Sequence, residues 1–154
     1  MTNQASISGY RYSSANHTHA HAYLLPALNI ELARLREHEV GAPPRLFDFV
    51  CGNGSVAASL VKDGWFVVGV DPSRDGIAAA QKAYPELRLY QGSAYDDLAK
   101  TYGKFPVVIS LEVVEHVYAP RDYAKNLFDL LQPGGTAIVS TPYHGYVKNL
   151  ALAL

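Results

Sequence analysis

The 154-residue chain has a single cysteine, Cys51, a single tryptophan, Trp65, and no methionine besides Met1. One cysteine makes neither an internal disulfide framework nor a multi-cysteine zinc site, and it suits a reducing compartment. Charge of one sign is lacking too: 13 Lys and Arg stand against 14 Asp and Glu, a net of −1 with six histidines neutral. That balance argues against a broad electrostatic grip on a nucleic-acid backbone, which needs a clustered excess of Lys and Arg. A nucleic-acid substrate held in a narrow site stays open. No apolar run approaches the ~20 residues that span a bilayer. The stretch from Met1 to Ser14 is polar and lacks the apolar segment of a signal peptide. The expectation is a soluble, cytoplasmic protein with no membrane span. At 49% hydrophobic and 18% charged, the chain is too apolar for disorder and can bury the core of one domain.

The pattern along the chain is a helix followed by an alternation. Residues 22–38 carry Leu24, Leu28, Leu32 and Leu35 at helical spacing, with Pro26 in the first turn. Gly41 and Pro43-Pro44 end this helix. Apolar strand-like runs then fall at 45–50, 65–70, 87–91, 106–111 and 136–140, separated by helical stretches at 55–63, 73–84, 95–102 and 121–131. Ser55 is the expected N-cap of the first of these helices and Gly64 its stop. Pro133-Gly134-Gly135 is expected to turn the chain into the last strand. Strands apolar on both faces call for a parallel sheet covered by helices on both sides, a doubly wound Rossmann-like α/β fold. The organisation read from this is an N-terminal lid and helix (1–44), an α/β core (45–142) and the start of a further segment (143–154). No C-terminal antiparallel strands are seen. Either the chain is truncated there, or the last strand is an edge expected to be covered by something else, such as a second copy of the chain in a homodimer.

In an open parallel sheet, ligands bind beyond the carboxyl ends of the strands where strand order reverses. The first strand ends in Asp48-Phe49-Val50-Cys51-Gly52-Asn53-Gly54, and a helix follows at once. Glycines there allow a tight turn and close approach of backbone to ligand, and the helix start offers free N–H groups. The second strand ends in Asp71-Pro72, about 20 residues on, where a carboxylate can accept from both hydroxyls of a ribose. Strand, glycine turn, helix, strand and acid in this order favour a nucleoside-containing ligand.

The segment Phe47 to Gly54 resembles the first motif of class I S-adenosylmethionine-dependent methyltransferases, and Val68-Gly69-Val70-Asp71-Pro72-Ser73 the second. Leu89 to Tyr95 is similar to the third, Phe105 to Val117 to the fourth, and Leu131 to Thr136 to the turn before strand five. The likeness runs over roughly residues 45–142. It implies that Asp48, Gly52, Asn53 and Gly54 lie along the cofactor, the two glycines at its methionine end. It further implies that Asp71 with Pro72 holds the ribose, that Ser93 and Ala94 flank the adenine, and that Leu111 lines the methionyl side. The sequence departs from the family at two positions. Val50 stands where glycine is usual; valine disfavours positive φ and adds a Cβ, so a displaced turn or weaker cofactor binding is expected. Ser93 stands where Asp often accepts from the adenine amino group.

Glu112-Val113-Val114-Glu115-His116 places two carboxylates and an imidazole at the mouth of the fourth strand, where an acceptor must meet the methyl group. Carboxylate oxygens and imidazole nitrogens are ligands for Mg, Mn, Zn or Fe, and a divalent metal, Mg or Zn, would acidify a substrate hydroxyl. This pattern is similar to that of ubiquinone-biosynthesis O-methyltransferases and small-RNA 2′-O-methyltransferases, where it binds a divalent metal. His144 is a candidate fourth ligand. Without a metal, His116 would act as general base or orienting group beside Glu115.

His17, His19 and His21 alternate, but a metal there would need a further ligand, and they are read with Tyr10, Arg11 and Tyr12 as part of a lid. Cys51 has no base beside it in sequence and is read as a packing residue. The activity expected is methyl transfer from S-adenosylmethionine to a small molecule, at oxygen. The competing readings are a silent methyltransferase-like binding module, an N- or C-methyltransferase without metal, and a nicotinamide oxidoreductase. The last is disfavoured because G-x-G-x-x-G spacing is not met.

Overall fold

A computed structural model describes residues 21–36 and 43–143. The elements run α1 (His21–Arg36), β1 (Arg45–Phe49), α2 (Ser55–Lys62), β2 (Phe66–Asp71), α3 (Arg74–Ala83) and β3 (Arg88–Gln91). They continue with α4 (Leu98–Tyr102), β4 (Phe105–Leu111), a 3-10 turn (Val114–His116), α5 (Pro120–Asp129) and β5 (Leu131–Ser140). The five strands form one sheet in the order β3-β2-β1-β4-β5, every neighbouring pair parallel. The doubly wound Rossmann-like reading is therefore correct. Strand order reverses between β1 and β4, which opens a crevice beyond their carboxyl ends.

Side chains alternate across the sheet and build a core on each face. Leu46, Val67, Leu89, Val107 and Ile109 pack with Leu28 and Leu32 of α1 and with Val56, Leu60, Ile77 and Ala80 of α2 and α3. Phe47, Phe49, Val68, Val70 and Val108 pack with Leu98, Tyr123 and Leu127 of α4 and α5 on the other face. Leu46, Phe47, Phe49, Val70, Val108 and Ile109 are fully buried, which explains why these strands read as unbroken apolar runs.

Several boundaries differ from expectation, each for a local reason. Ser55 is the first residue of α2 and not its N-cap; Gly54, left-handed at φ 74, takes that position. Ser73 caps α3 by accepting from Gly76 N–H, so the helix begins at Arg74. Asp97 accepts from Lys100 N–H and starts α4 later than Tyr95. Leu131 leaves α5 and opens β5, which pairs Phe105 with Leu131 and Val107 with Thr136. Pro133-Gly134-Gly135 is thus an irregularity carried inside the strand and not a separate turn before it. His21 heads α1, whereas Tyr10, Arg11, Tyr12, His17, His19 and His144 lie outside the described residues.

Candidate functional site

The chain leaves β1 through alternating left-handed residues: Val50 at φ 71, Gly52 at φ 57 and Gly54 at φ 74. Val50 adopts the left-handed conformation that glycine favours, at the cost of strain in a β-branched residue. Cys51 N–H between them donates to Val70 O at 2.8 Å, and Gly52 N–H to Asp71 Oδ2 at 2.7 Å, which fastens the turn to the end of β2. Asn53 is buried, and its Oδ1 accepts from Ser55 N–H at 3.2 Å at the start of α2. Gly54 has a packing role: a Cβ there would lie 2.6 Å from Leu89 Cδ1 and 2.9 Å from Ala80 Cβ.

Asp71 is 2% exposed and each carboxylate oxygen accepts a backbone N–H, Oδ2 from Gly52 and Oδ1 from Ser73, both at 2.7 Å. Burial raises its pKa above the ordinary carboxylate value, against the opposing pull of those two N–H groups. Asp48, at the sheet centre opposite Gly69 and Ile109, is 3% exposed, and its Oδ2 has no hydrogen-bond partner. Burial, and secondarily the charge of Asp71, pushes its pKa up to about 7. Burial likewise pushes the Cys51 thiol well above its ordinary value, with Asp48 and Asp71 adding to the effect. This fits the packing role read for Cys51.

Beyond β3, Ser93 N–H donates to Asp96 Oδ2 at 2.7 Å and Ser93 Oγ accepts from Tyr95 N–H at 3.2 Å. Ala94 is buried, Pro72 half-buried, and Asn126 of α5 donates to Ala94 O at 2.8 Å.

Beyond β4, Leu111 is half-buried and Glu112 is left-handed at φ 57. Glu112 N–H donates to Ser140 Oγ at 3.1 Å, while the Ser140 hydroxyl donates to Glu112 Oε1 at 2.8 Å. Glu115 and His116 follow on the 3-10 turn, with Oε1 and Nε2 3.9 Å apart and the imidazole exposed. The proposed metal ligands therefore do not converge here. Glu112 is turned to Ser140, Glu115 faces His116, and no three metal-ligating side chains group together among the described residues. His144, the fourth proposed ligand, lies outside the described residues.

Sequence reasoning missed Ser140, Tyr95, Asp96 and Asn126. Each makes a hydrogen bond to a partner elsewhere in the fold or to a local backbone group, and Ser, Tyr and Asn at such spacings carry no distinctive signal. Asp96 alone had one, as a carboxylate three residues after the serine that replaces the usual Asp.

The comparisons with known proteins agree with this layout. A family model described as "Methyltransferase domain" matches residues 17–153. The ubiquinone biosynthesis O-methyltransferase of Caulobacter sp. (strain K31) is 37% identical over 130 residues, covering 79% of this chain and 51% of that protein. The enzyme of the same name from Azorhizobium caulinodans is 35% identical over 113 residues, 71% of this chain and 44% of the relative. The chain thus spans about half the length of these curated relatives. Among solved structures, Streptomyces venezuelae DesVI superposes with a TM-score of 0.63 at 25% identity, covering 83% of this chain and 59% of that one. SAM-bound CalS10, an amino pentose methyltransferase from Micromonospora echinaspora, superposes at 0.66 with 20% identity, covering 86% and 60%. With a family model matched over residues 17–153 and laid over a glycine turn tied to the strand-end acid, the chain belongs to the methyltransferase domain family.

Proposed function

We propose that the protein transfers a methyl group from S-adenosylmethionine to an oxygen of a small molecule bound over β4. The observation that carries this reading is the bond from Gly52 N–H to Asp71 Oδ2, which joins the glycine turn and the strand-end acid into one cradle at the point of strand reversal. The residues fit such a donor. Each Asp71 oxygen spends one acceptor site on a backbone N–H and keeps another, so the carboxylate retains capacity for two ribose hydroxyls. In this reading Asp48, Gly52, Asn53 and Gly54 form the wall at the methionine end, Pro72, Ser93 and Ala94 that at the adenine end, and Leu111 the floor by the methionyl chain.

When bound, S-adenosylmethionine supplies an electrophilic methyl on a sulfonium. His116 would take the proton of the acceptor hydroxyl as its oxygen bonds the methyl carbon and the carbon–sulfur bond breaks, with S-adenosylhomocysteine as the leaving group, and Glu115, 3.9 Å away, would stabilise the resulting imidazolium. The walls contribute alignment, worth on the order of 7 kcal/mol or more when donor and acceptor are held in line. No step runs through a metal. In a metal-assisted form of the reaction, Glu112, Glu115, His116 and His144 would be the residues to hold the ion, which would acidify the acceptor hydroxyl.

Titration calorimetry with S-adenosylmethionine and S-adenosylhomocysteine tests the reading. Binding by the parent, weakened at least about tenfold in D71A, supports it; no binding of either compound to the parent overturns it. For partners, we place a second copy of the chain on the edge of β5, where Val139 is 46% exposed. Light scattering on the eluted protein would give the dimer mass, and a monomer mass at all concentrations would exclude it.

A further inference from the structure

We propose that Tyr95 is a positioning residue whose hydroxyl ties the loop beside the adenine position to the turn that carries Glu115 and His116, so that ligand on one side is felt on the other. The inference rests on the methyl-transfer reading above. Tyr95 belongs to the Ser93–Asp97 loop through its own N–H, which donates to Ser93 Oγ. Its phenolic oxygen accepts from the backbone N–H of Tyr118 at 3.2 Å and of Ala119 at 3.3 Å. Its ring lies 4.5 Å from that of Tyr118. A second tie runs parallel, from Asn126 of α5 to Ala94 O.

The geometry of the segment makes this tie consequential. Residues 112–119 leave β4 and enter α5 through the 3-10 turn. Inside the segment the backbone bond is local, His116 N–H to Val113 O at 2.9 Å. Val113 is buried and anchors the β4 end. At the α5 end the N-cap is Ala119, which has no capping side chain, and the first helical residue is Pro120. The Tyr95 hydroxyl therefore supplies from another loop the partner that the segment does not hold itself. His116 sits between the two anchors, and its placement depends on both.

Hydrogen exchange at the Tyr118 and Ala119 amides tests this, in the parent, in Tyr95→Phe and in Tyr118→Ala, with and without S-adenosylhomocysteine. In the parent, saturating ligand is expected to slow exchange at both amides about tenfold. In Y95F both amides exchange about tenfold faster without ligand and no longer respond to it, although the dissociation constant stays within about threefold. Y118A, which removes the ring contact and keeps the hydroxyl bond at Ala119, retains the response at Ala119. Equal responses in parent and Y95F overturn the proposal, as does loss of response in Y118A to the same degree. No response in the parent also overturns it, and that measurement does not depend on any variant folding. If the ligand binds none of the three, the methyl-transfer reading fails, while the ligand-free comparison of Y95F with the parent still decides whether the tie exists.

Discussion

Val50 and Glu112, at the carboxyl ends of the neighbouring strands β1 and β4, are the two non-glycine residues among those described whose backbones are left-handed, at φ 71 and φ 57. They flank the point of strand reversal, where unusual backbone is held in place by its surroundings. Glu112 is held by its bonds to the hydroxyl and backbone carbonyl of Ser140, and Val50 by the fastening of Cys51 and Gly52 to β2.

At Val50 the usual ranking of alanine above glycine should invert. A left-handed non-glycine residue costs roughly 1–2 kcal/mol, which exceeds the extra chain entropy of glycine, roughly 0.5–1 kcal/mol. V50G is expected to be more stable than V50A by about 1 kcal/mol in urea unfolding, and to bind S-adenosylhomocysteine several-fold more tightly than the parent. A more stable V50A would mean that the turn is not left-handed in solution.

Gly54 should tolerate no side chain. G54A forces a left-handed alanine, about 1–2 kcal/mol, and a Cβ overlapping Leu89 and Ala80, about 1–3 kcal/mol more. The urea midpoint should fall by the equivalent of at least about 2 kcal/mol. A loss below about 1 kcal/mol would show that α2 moves away from Leu89 freely.

Asp48 should impose a pH dependence on stability. Its folded pKa of about 7 lies above the ordinary 3.8, so the folded state holds the proton more firmly than the unfolded chain. Stability from this group is complete below the unfolded value and is lost as pH rises through about 7. D48N keeps the shape without the charge. Its advantage over the parent should be larger at about pH 8 than at about pH 5, by on the order of 1–3 kcal/mol. Parallel pH profiles for the two proteins would refute the assignment.

Ser140 both accepts from and donates to Glu112, so S140A removes two bonds at one position. A loss of about 1 kcal/mol in unfolding free energy is expected, with the Glu112 carboxylate released toward solvent. Unchanged stability would mean that the β4–β5 clasp does not form.

The comparison of sequence with structure divides along the range of the interactions. Helices and strands were legible because apolar residues recur at 3.6 or run unbroken, and because Pro43-Pro44 and Gly64 punctuate them. Gly52, Gly54 and Asp71 stood out for the same reason: a short turn and a strand end advertise themselves locally. Ser55 is not the cap because the left-handed Gly54 heads the helix, and Gly54 itself is required by Leu89 and Ala80, far along the chain. The bond from Ser140 to Glu112 was not legible, because composition cannot show that Ser140 lies within hydrogen-bond reach.

The sequence by itself determined the alternation of strands and helices, the glycine turn and the acid that closes the second strand, since each depends on residues a few positions apart. Only the tertiary structure decided that β1 lies between β2 and β4, that Asp48 is buried beside Asp71, and that Val50 takes a glycine's conformation. It also decided that Tyr95 meets the far end of the His116 turn. Those outcomes depend on which distant groups are brought within 3 to 4 Å of one another, and that is a property of packing, which no local pattern of residue types encodes.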